Sequence, residues 1–279
     1  MKLNLNLYLS RNHPLRRAIR AFRVAKSRLL PQREQFTPDI HTLSVATWYG
    51  CNLTCAQCFH LAPQAPTKER MAPDYFAAFL CDSARLAWPW KFISMSGGES
   101  TLNPDFPVFV RMLADYKARH LPSLRLGIAT NGVGDKVERG INLAVNAGFE
   151  VNNSNKIDVE GAPADHRPFF ASPADMGENY TLGCLQSSKC GIVLNCHGFY
   201  ECDPAAGADR VMGWGPVATR LDDVTEKRMA AAFHIHCKHC GLARRKLQYN
   251  PNAPMTETWM KQIAAYNTKT KGNHNHFPP

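Results

Sequence analysis

Residues 42–60 read TLSVATWYGCNLTCAQCFH. The first part, TLSVATWYG (42–50), reads as a β-strand, and it runs directly into Cys51, Cys55 and Cys58. Outward from this stretch the chain alternates. DYFAAFLCDSARLAW (74–88) reads as a helix, KFISMSGGE (91–99) as a strand closed by a glycine turn, and 104–119 as a helix. LRLGIATNG (124–132) reads as a strand, 135–147 as a helix and FEVNNSN (149–155) as a fourth strand. Four βα-type repeats imply an α/β fold with a parallel sheet, open or closed into a barrel, whose site lies at the C-terminal ends of the strands. The three cysteines, GGE (97–99), TNG (130–132) and NNSN (152–155) all fall at such ends.

A chain of 279 residues with 44% hydrophobic content is long enough to bury one large domain, with or without a small appendage. It has no apolar run long enough to span a bilayer, and its start lacks a secretory pattern, so it reads as cytoplasmic. In a reducing compartment ten cysteines are better explained as metal ligands or reactive thiols than as five disulfides. Nine lie in groups: Cys51, Cys55 and Cys58; Cys184, Cys190, Cys196 and Cys202; Cys237 and Cys240. Cys81 stands alone and reads as a small buried core residue.

The formal charge of +10 suits an anionic partner. Much of it is local, because residues 11–33 hold eight Arg or Lys and no acid. That segment reads as a basic helix laid across the main domain, the alternative being a helix that docks on an acidic lipid surface or RNA. After residue 156 the pattern changes to a Pro-, Gly- and Asp-rich stretch (156–180), read as a connecting or lid segment. Next comes the hairpin-like GIVLNCHGFYEC (191–202), with His197 and Gly198 in its turn. The final KGNHNHFPP reads as disordered.

Three thiolates leave one iron of a four-iron cluster without a protein ligand, and an open iron can bind a small molecule and pass it an electron. Zinc is the competing reading, with His60 as a fourth ligand. Cys51-x3-Cys55-x2-Cys58 after a first strand, with Gly97-Gly98-Glu99 at the end of the second, resembles the radical S-adenosylmethionine enzymes. The resemblance implies a partial (β/α) barrel and a [4Fe-4S] cluster on Cys51, Cys55 and Cys58. It further implies reductive cleavage of S-adenosylmethionine to a 5′-deoxyadenosyl radical that abstracts a substrate hydrogen, with an electron donor such as flavodoxin or ferredoxin. Gly97, Gly98 and Glu99 would meet the methionyl ammonium, and Asn131, Asn153 or Ser154 the ribose or carboxylate. The family's aromatic residue before the third cysteine is replaced here by Gln57, which leaves Phe59 as the candidate for the adenine contact.

The later cysteines resemble the family's C-terminal auxiliary-cluster extensions, called SPASM or, when short, twitch. On that resemblance Cys184, Cys202, Cys237 and Cys240 would close one auxiliary [4Fe-4S] cluster, structural zinc being the alternative. Cys190 and Cys196 are surplus: further ligands, packing residues, or a hydrogen-atom donor such as a radical epimerase needs. The expected domains are a basic extension (1–40), the barrel (41–183) and a twitch-like domain (184–279). The expected substrate is a carbohydrate, aminocyclitol or nucleotide sugar, undergoing oxidation or epimerisation. A ribosomally made peptide is the alternative, and a zinc-binding nucleic-acid module the alternative of another class; the unfinished three-cysteine set beside a glycine-glycine-glutamate turn argues against the module.

Overall fold

The computed structural model of the chain describes residues 35–55, 58–63, 67–154 and 181–240, with a few helical positions between 257 and 265. The basic segment 11–33, the stretch 156–180, Gln57 and the C-terminal KGNHNHFPP lie outside the described residues. Among the described residues no helix is long and apolar enough to cross a membrane.

Among the described residues six strands form one sheet: β1 (Thr42–Trp48), β2 (Phe92–Gly97), β3 (Arg125–Thr130), β4 (Glu150–Asn153), β5 (Ile192–Asn195) and β6 (Gly198–Tyr200). Their order is β4-β3-β2-β1-β5-β6, with every neighbouring pair parallel except β5 and β6. This is a partial (β/α) barrel. Helices α1 (Pro73–Arg85), α2 (Phe106–His120) and α3 (Asp135–Asn146) link the first four strands.

The helices form where the sequence supplies one apolar face and a start signal. α1 opens on Pro73, whose missing N–H costs nothing in a first turn, and buries Phe76, Phe79 and Leu80 at helical spacing. Cys81, one step past Leu80, therefore turns outward and is exposed, so the expectation of a buried Cys81 is corrected. α2 buries Phe106, Phe109, Val110 and Leu113 and ends on Lys117, Arg119 and His120, cations that suit the negative end of the helix dipole. These faces meet Leu43 and Val45 of β1, Ile93 and Met95 of β2 and Ile128 of β3 in the main core.

Because strand side chains alternate, Ser44 and Ala46 of β1 point the other way, into the barrel. There Ala46, Tyr49, Val193, Tyr200, Ala205 and Ala206 form a second, smaller core. Its lid is α5 (Asp203–Met212), a helix buried from Asp203 to Val211.

The boundary expected at residue 184 does not separate two sheets. After α4 (Leu185–Lys189), β5 pairs in parallel with β1 (Leu43 with Ile192, Val45 with Leu194), so the hairpin extends the barrel's own sheet. The hairpin turn is Cys196-His197, because Asn195 already pairs with Gly198. This moves the turn one residue from its expected place. Gly191 shows why the edge is so close: a Cβ there would overlap the carbonyl of Thr42.

Candidate functional site

The strand-end loops expected to form the site are joined to one another by hydrogen bonds. β1 leads through Tyr49 and Gly50 into Cys51. At the end of β2 the N–H of Gly98 donates to the carbonyl of Trp48 at 2.7 Å, and that of Glu99 to the carbonyl of Gly50 at 2.8 Å. A Cβ on Gly97 would stand 2.3 Å from Trp48 O, and one on Gly98 2.2 Å from Gly50 O. The glycine pair thus lets the β2 turn sit directly on the entrance of the cysteine loop.

Glu99 is fully buried, and both carboxylate oxygens are engaged. Oε1 accepts from the hydroxyls of Thr101 (2.6 Å) and Thr130 (2.9 Å), and Oε2 from the N–H of Asn131 (2.7 Å). The carboxylate thereby ties the end of β3 to the β2 turn. Asn131 passes the connection on: its Nδ2 donates to Asn52 Oδ1 (2.8 Å) and points at Cys51 Sγ (3.6 Å), while its Oδ1 accepts from Val133 N–H (2.8 Å). Asn52 in turn donates to the carbonyl of Val133 (2.8 Å). From the end of β4, Ser154 N–H donates to Thr130 O (2.8 Å), and Asn153 lies against Gly132.

Cys51, Cys55 and Cys58 are all half-buried on this loop. Burial pushes the Cys51 thiol above its ordinary range, with the neighbouring Glu99 and Cys55 adding to the effect and donors from Leu53 and Asn131 opposing it. Three cysteines on one loop, Cys51 and Cys55 near enough to influence one another, with no fourth cysteine on it, suit a four-iron cluster that keeps one iron open. Phe59 is half-buried, its ring edge-on to His60 at 5.4 Å.

Four other cysteines converge from three segments. Cys237 is buried and Cys202 half-buried, and both thiols are driven well above their ordinary range, first by desolvation and then by Glu201 and by the neighbouring Cys184 and Cys240. Such mutual influence requires proximity. Among the described residues no three His, Cys, Asp or Glu side chains are arranged to hold a single metal ion. Beside the thiols, His236 Nδ1 meets both oxygens of the buried Glu201 at 2.9 and 2.8 Å and stacks on Trp214 at 4.8 Å. Burial works against protonation of His236, but Glu201 outweighs it and raises its pKa.

The two surplus cysteines separate. Cys196 follows β5 and lies at the same edge of the parallel sheet as the Cys51–Cys58 loop; Cys190 precedes β5, at the opposite edge, and is exposed. The Cys196 thiol is pushed from 9.0 to about 11, mainly by burial and then by Glu69, so it keeps its proton at neutral pH.

Several residues were not legible as site residues. Asp203 Oδ1 accepts from Ser44 (3.0 Å) and Ser96 (3.1 Å) and faces His60 Nδ1 at 3.4 Å. The Arg210 side chain, fully buried, bonds Glu69 Oε2 at 2.7 Å and stacks over Tyr49 at 3.8 Å. The signal for α5 was present in CDPAAGADRVMG (202–213): an acid and a proline at a helix start, and a glycine that ends it. Nothing local signals that its arginine is buried.

No protein-family model matches the chain. By sequence it is similar to a GTP 3′,8-cyclase of Campylobacter jejuni subsp. doylei, 28% identical over 99 residues, which cover 36% of this chain and 30% of that protein. It is also similar to mycofactocin maturase MftC of Mycobacterium ulcerans, 27% identical over 190 residues, 63% of this chain and 47% of that one. The chain thus spans less than half the length of these curated relatives. Among solved structures it overlays on BtrN in complex with AdoMet and 2-DOIA with a TM-score of 0.46 and 16% identity, covering 72% of this chain and 93% of that one. Native anSMEcpe with bound AdoMet gives 0.45 and 14%, covering 83% and 98%. With the Cys51–Cys58 loop and the Gly97–Glu99 turn fastened together at the mouth of a partial barrel, the sequence relatives place this chain in the radical S-adenosylmethionine superfamily, whose cofactors are a [4Fe-4S] cluster and S-adenosylmethionine.

Proposed function

We propose that the chain is an enzyme that removes a hydrogen from an unactivated C–H bond of a carbohydrate, aminocyclitol or nucleotide-sugar substrate, leading to oxidation or epimerisation. The observation that carries this reading is the pair of backbone hydrogen bonds from Gly98 and Glu99 to the entrance of the cysteine loop, which makes the cluster loop and the strand-end turn one unit. When bound, the cluster and S-adenosylmethionine supply one-electron reduction and the radical that takes the hydrogen. Cys51, Cys55 and Cys58 would hold the cluster, and the backbone of Gly97–Glu99, with Asn131, Asn153, Ser154 and Phe59 around it, would hold S-adenosylmethionine. The Glu99 carboxylate orders the Asn131 loop and reaches the methionyl group through that order. An external electron donor such as flavodoxin or ferredoxin would supply the reductant.

The barrel's inner face supports a hydroxyl-rich substrate, because Ser44, Ser96, His60 and Asp203 gather there. The formal charge of +10 suits a phosphorylated one. Oxidation needs an exit for an electron, and Cys184, Cys202, Cys237 and Cys240 would hold the auxiliary [4Fe-4S] cluster that provides it. Epimerisation needs a protonated thiol at the barrel mouth, and of the two surplus cysteines Cys196 has that position. A ribosomally made peptide remains the second reading, favoured by the likeness to mycofactocin maturase over 63% of the chain.

The test is anaerobic reconstitution followed by iron, sulfide and zinc analysis and an assay for 5′-deoxyadenosine. The expected content is about eight irons per chain, four for each cluster. Replacing Cys51, Cys55 and Cys58 by Ala should abolish deoxyadenosine and leave the other site's iron. Cys190→Ala should leave turnover intact, and in an epimerase Cys196→Ala should block product without blocking cleavage. A protein that takes up no iron would refute the proposal.

A further inference from the structure

One buried side chain holds both ends of the Cys51–Cys58 loop. Before the loop, the Arg210 guanidinium lies 3.8 Å over the ring of Tyr49, which also takes a hydrogen bond from Asn195 (3.3 Å). After the loop, Arg210 pairs with Glu69 at 2.7 Å and donates to the carbonyls of Leu61 (3.4 Å) and Thr67. Leu61 is fully buried with φ 50, a left-handed backbone that a leucine adopts only when its surroundings enforce it. Its N–H donates to the carbonyl of Cys58 at 3.2 Å. The guanidinium, with its planar fork of donors, is suited to gather several acceptors in this way.

Arg210 belongs to α5, and α5 begins at the other cysteine set. Cys202 is its N-cap, and Ala206 N–H donates to Cys202 O at 3.2 Å. Between the two ends the helix touches the first loop twice more. Asp203 faces His60 at 3.4 Å, and a Cβ on Gly207 would come within 2.5 Å of His60 O. A rigid buried helix therefore joins the two cysteine sets. Its start is also held by the neighbouring Glu201, whose carboxylate meets His236 Nδ1 at 2.9 and 2.8 Å beside Cys237.

We infer that Arg210 is a positioning residue for the Cys51–Cys58 loop. The inference rests on the assignment of both cysteine sets as cluster ligands made above.

Iron content, not turnover, is the readout. Arg210→Lys keeps a charge for Glu69 but lacks the fork; it is expected to keep the second site's iron, lose the first site's electron paramagnetic resonance signal, and show faster amide exchange at residues 58–63 and 67–69. Arg210→Lys retaining about eight irons with wild-type exchange there would overturn the role of Arg210. Failure of the underlying assignment looks different, because the unaltered protein would then not reach about eight irons at all.

Discussion

Gly98→Ala tests the joint on which the site depends. A Cβ at this position would lie 2.2 Å from the carbonyl oxygen of Gly50, 2.7 Å from its carbon and 2.8 Å from the carbonyl carbon of Tyr49. All three are backbone atoms, so no rotamer can relieve the overlap. Optimal separations being about 3.5 Å, the β2 turn must retreat by roughly 1 Å. That movement stretches the bonds from Gly98 N to Trp48 O (2.7 Å) and from Glu99 N to Gly50 O (2.8 Å) to the edge of hydrogen-bonding distance. Two bonds at about 1 kcal/mol each and an overpacking penalty of about 1–3 kcal/mol give a loss of about 3–5 kcal/mol. Urea unfolding of the apoprotein measures this loss, and iron analysis after reconstitution should show about four irons missing. Gly148→Ala is the control: it has φ 81 but open space around it, so it should cost only about 1–2 kcal/mol and leave iron uptake unchanged. If Gly98→Ala kept wild-type stability and iron, the turn would not be what seats the loop.

Glu99→Gln replaces one accepting oxygen by a donor among groups that all donate, and should destabilise the protein by about 1.5–3 kcal/mol. A change below about 0.5 kcal/mol would show that the carboxylate does not bind the ends of β2 and β3 together. Cys196 gives a pH signature in the apoprotein. Its thiol is held near pKa 11 in the fold against 9.0 when free, so its contribution is complete below pH 9 and is lost as the pH rises toward 11. At about 1.4 kcal/mol per unit, Cys196→Ala should flatten the alkaline fall in stability by at most about 2–3 kcal/mol. Superimposable pH profiles for the two proteins would rule out a buried Cys196 thiol.

The first four strands and the helices between them were legible because each announces itself locally. Phe76, Phe79 and Leu80 recur at helical spacing, and Thr42–Trp48 is a short β-branched and aromatic run bounded by glycine. The cysteine spacing and the Gly97-Gly98-Glu99 turn were legible for the same reason. Cys81 was not, because burial depends on which side of a helix faces the core, and one residue of offset turned it outward. Nor was the return of the hairpin to the barrel, since a β5 to β1 pairing spans about 150 residues and leaves no local mark.

By itself, then, the sequence determined the alternating fold, the cysteine sets and the strand ends that carry the site, all properties of short segments. The tertiary structure alone decided which groups those ends engage. It used the glycines for backbone contact with Gly50, closed Glu99 among donors from the ends of β2 and β3, sent Cys190 and Cys196 to opposite edges, and brought Arg210 to both ends of a loop about 150 positions away. A buried charge or a close backbone approach is set by what packs against it, and the packing partners here come from distant parts of the chain.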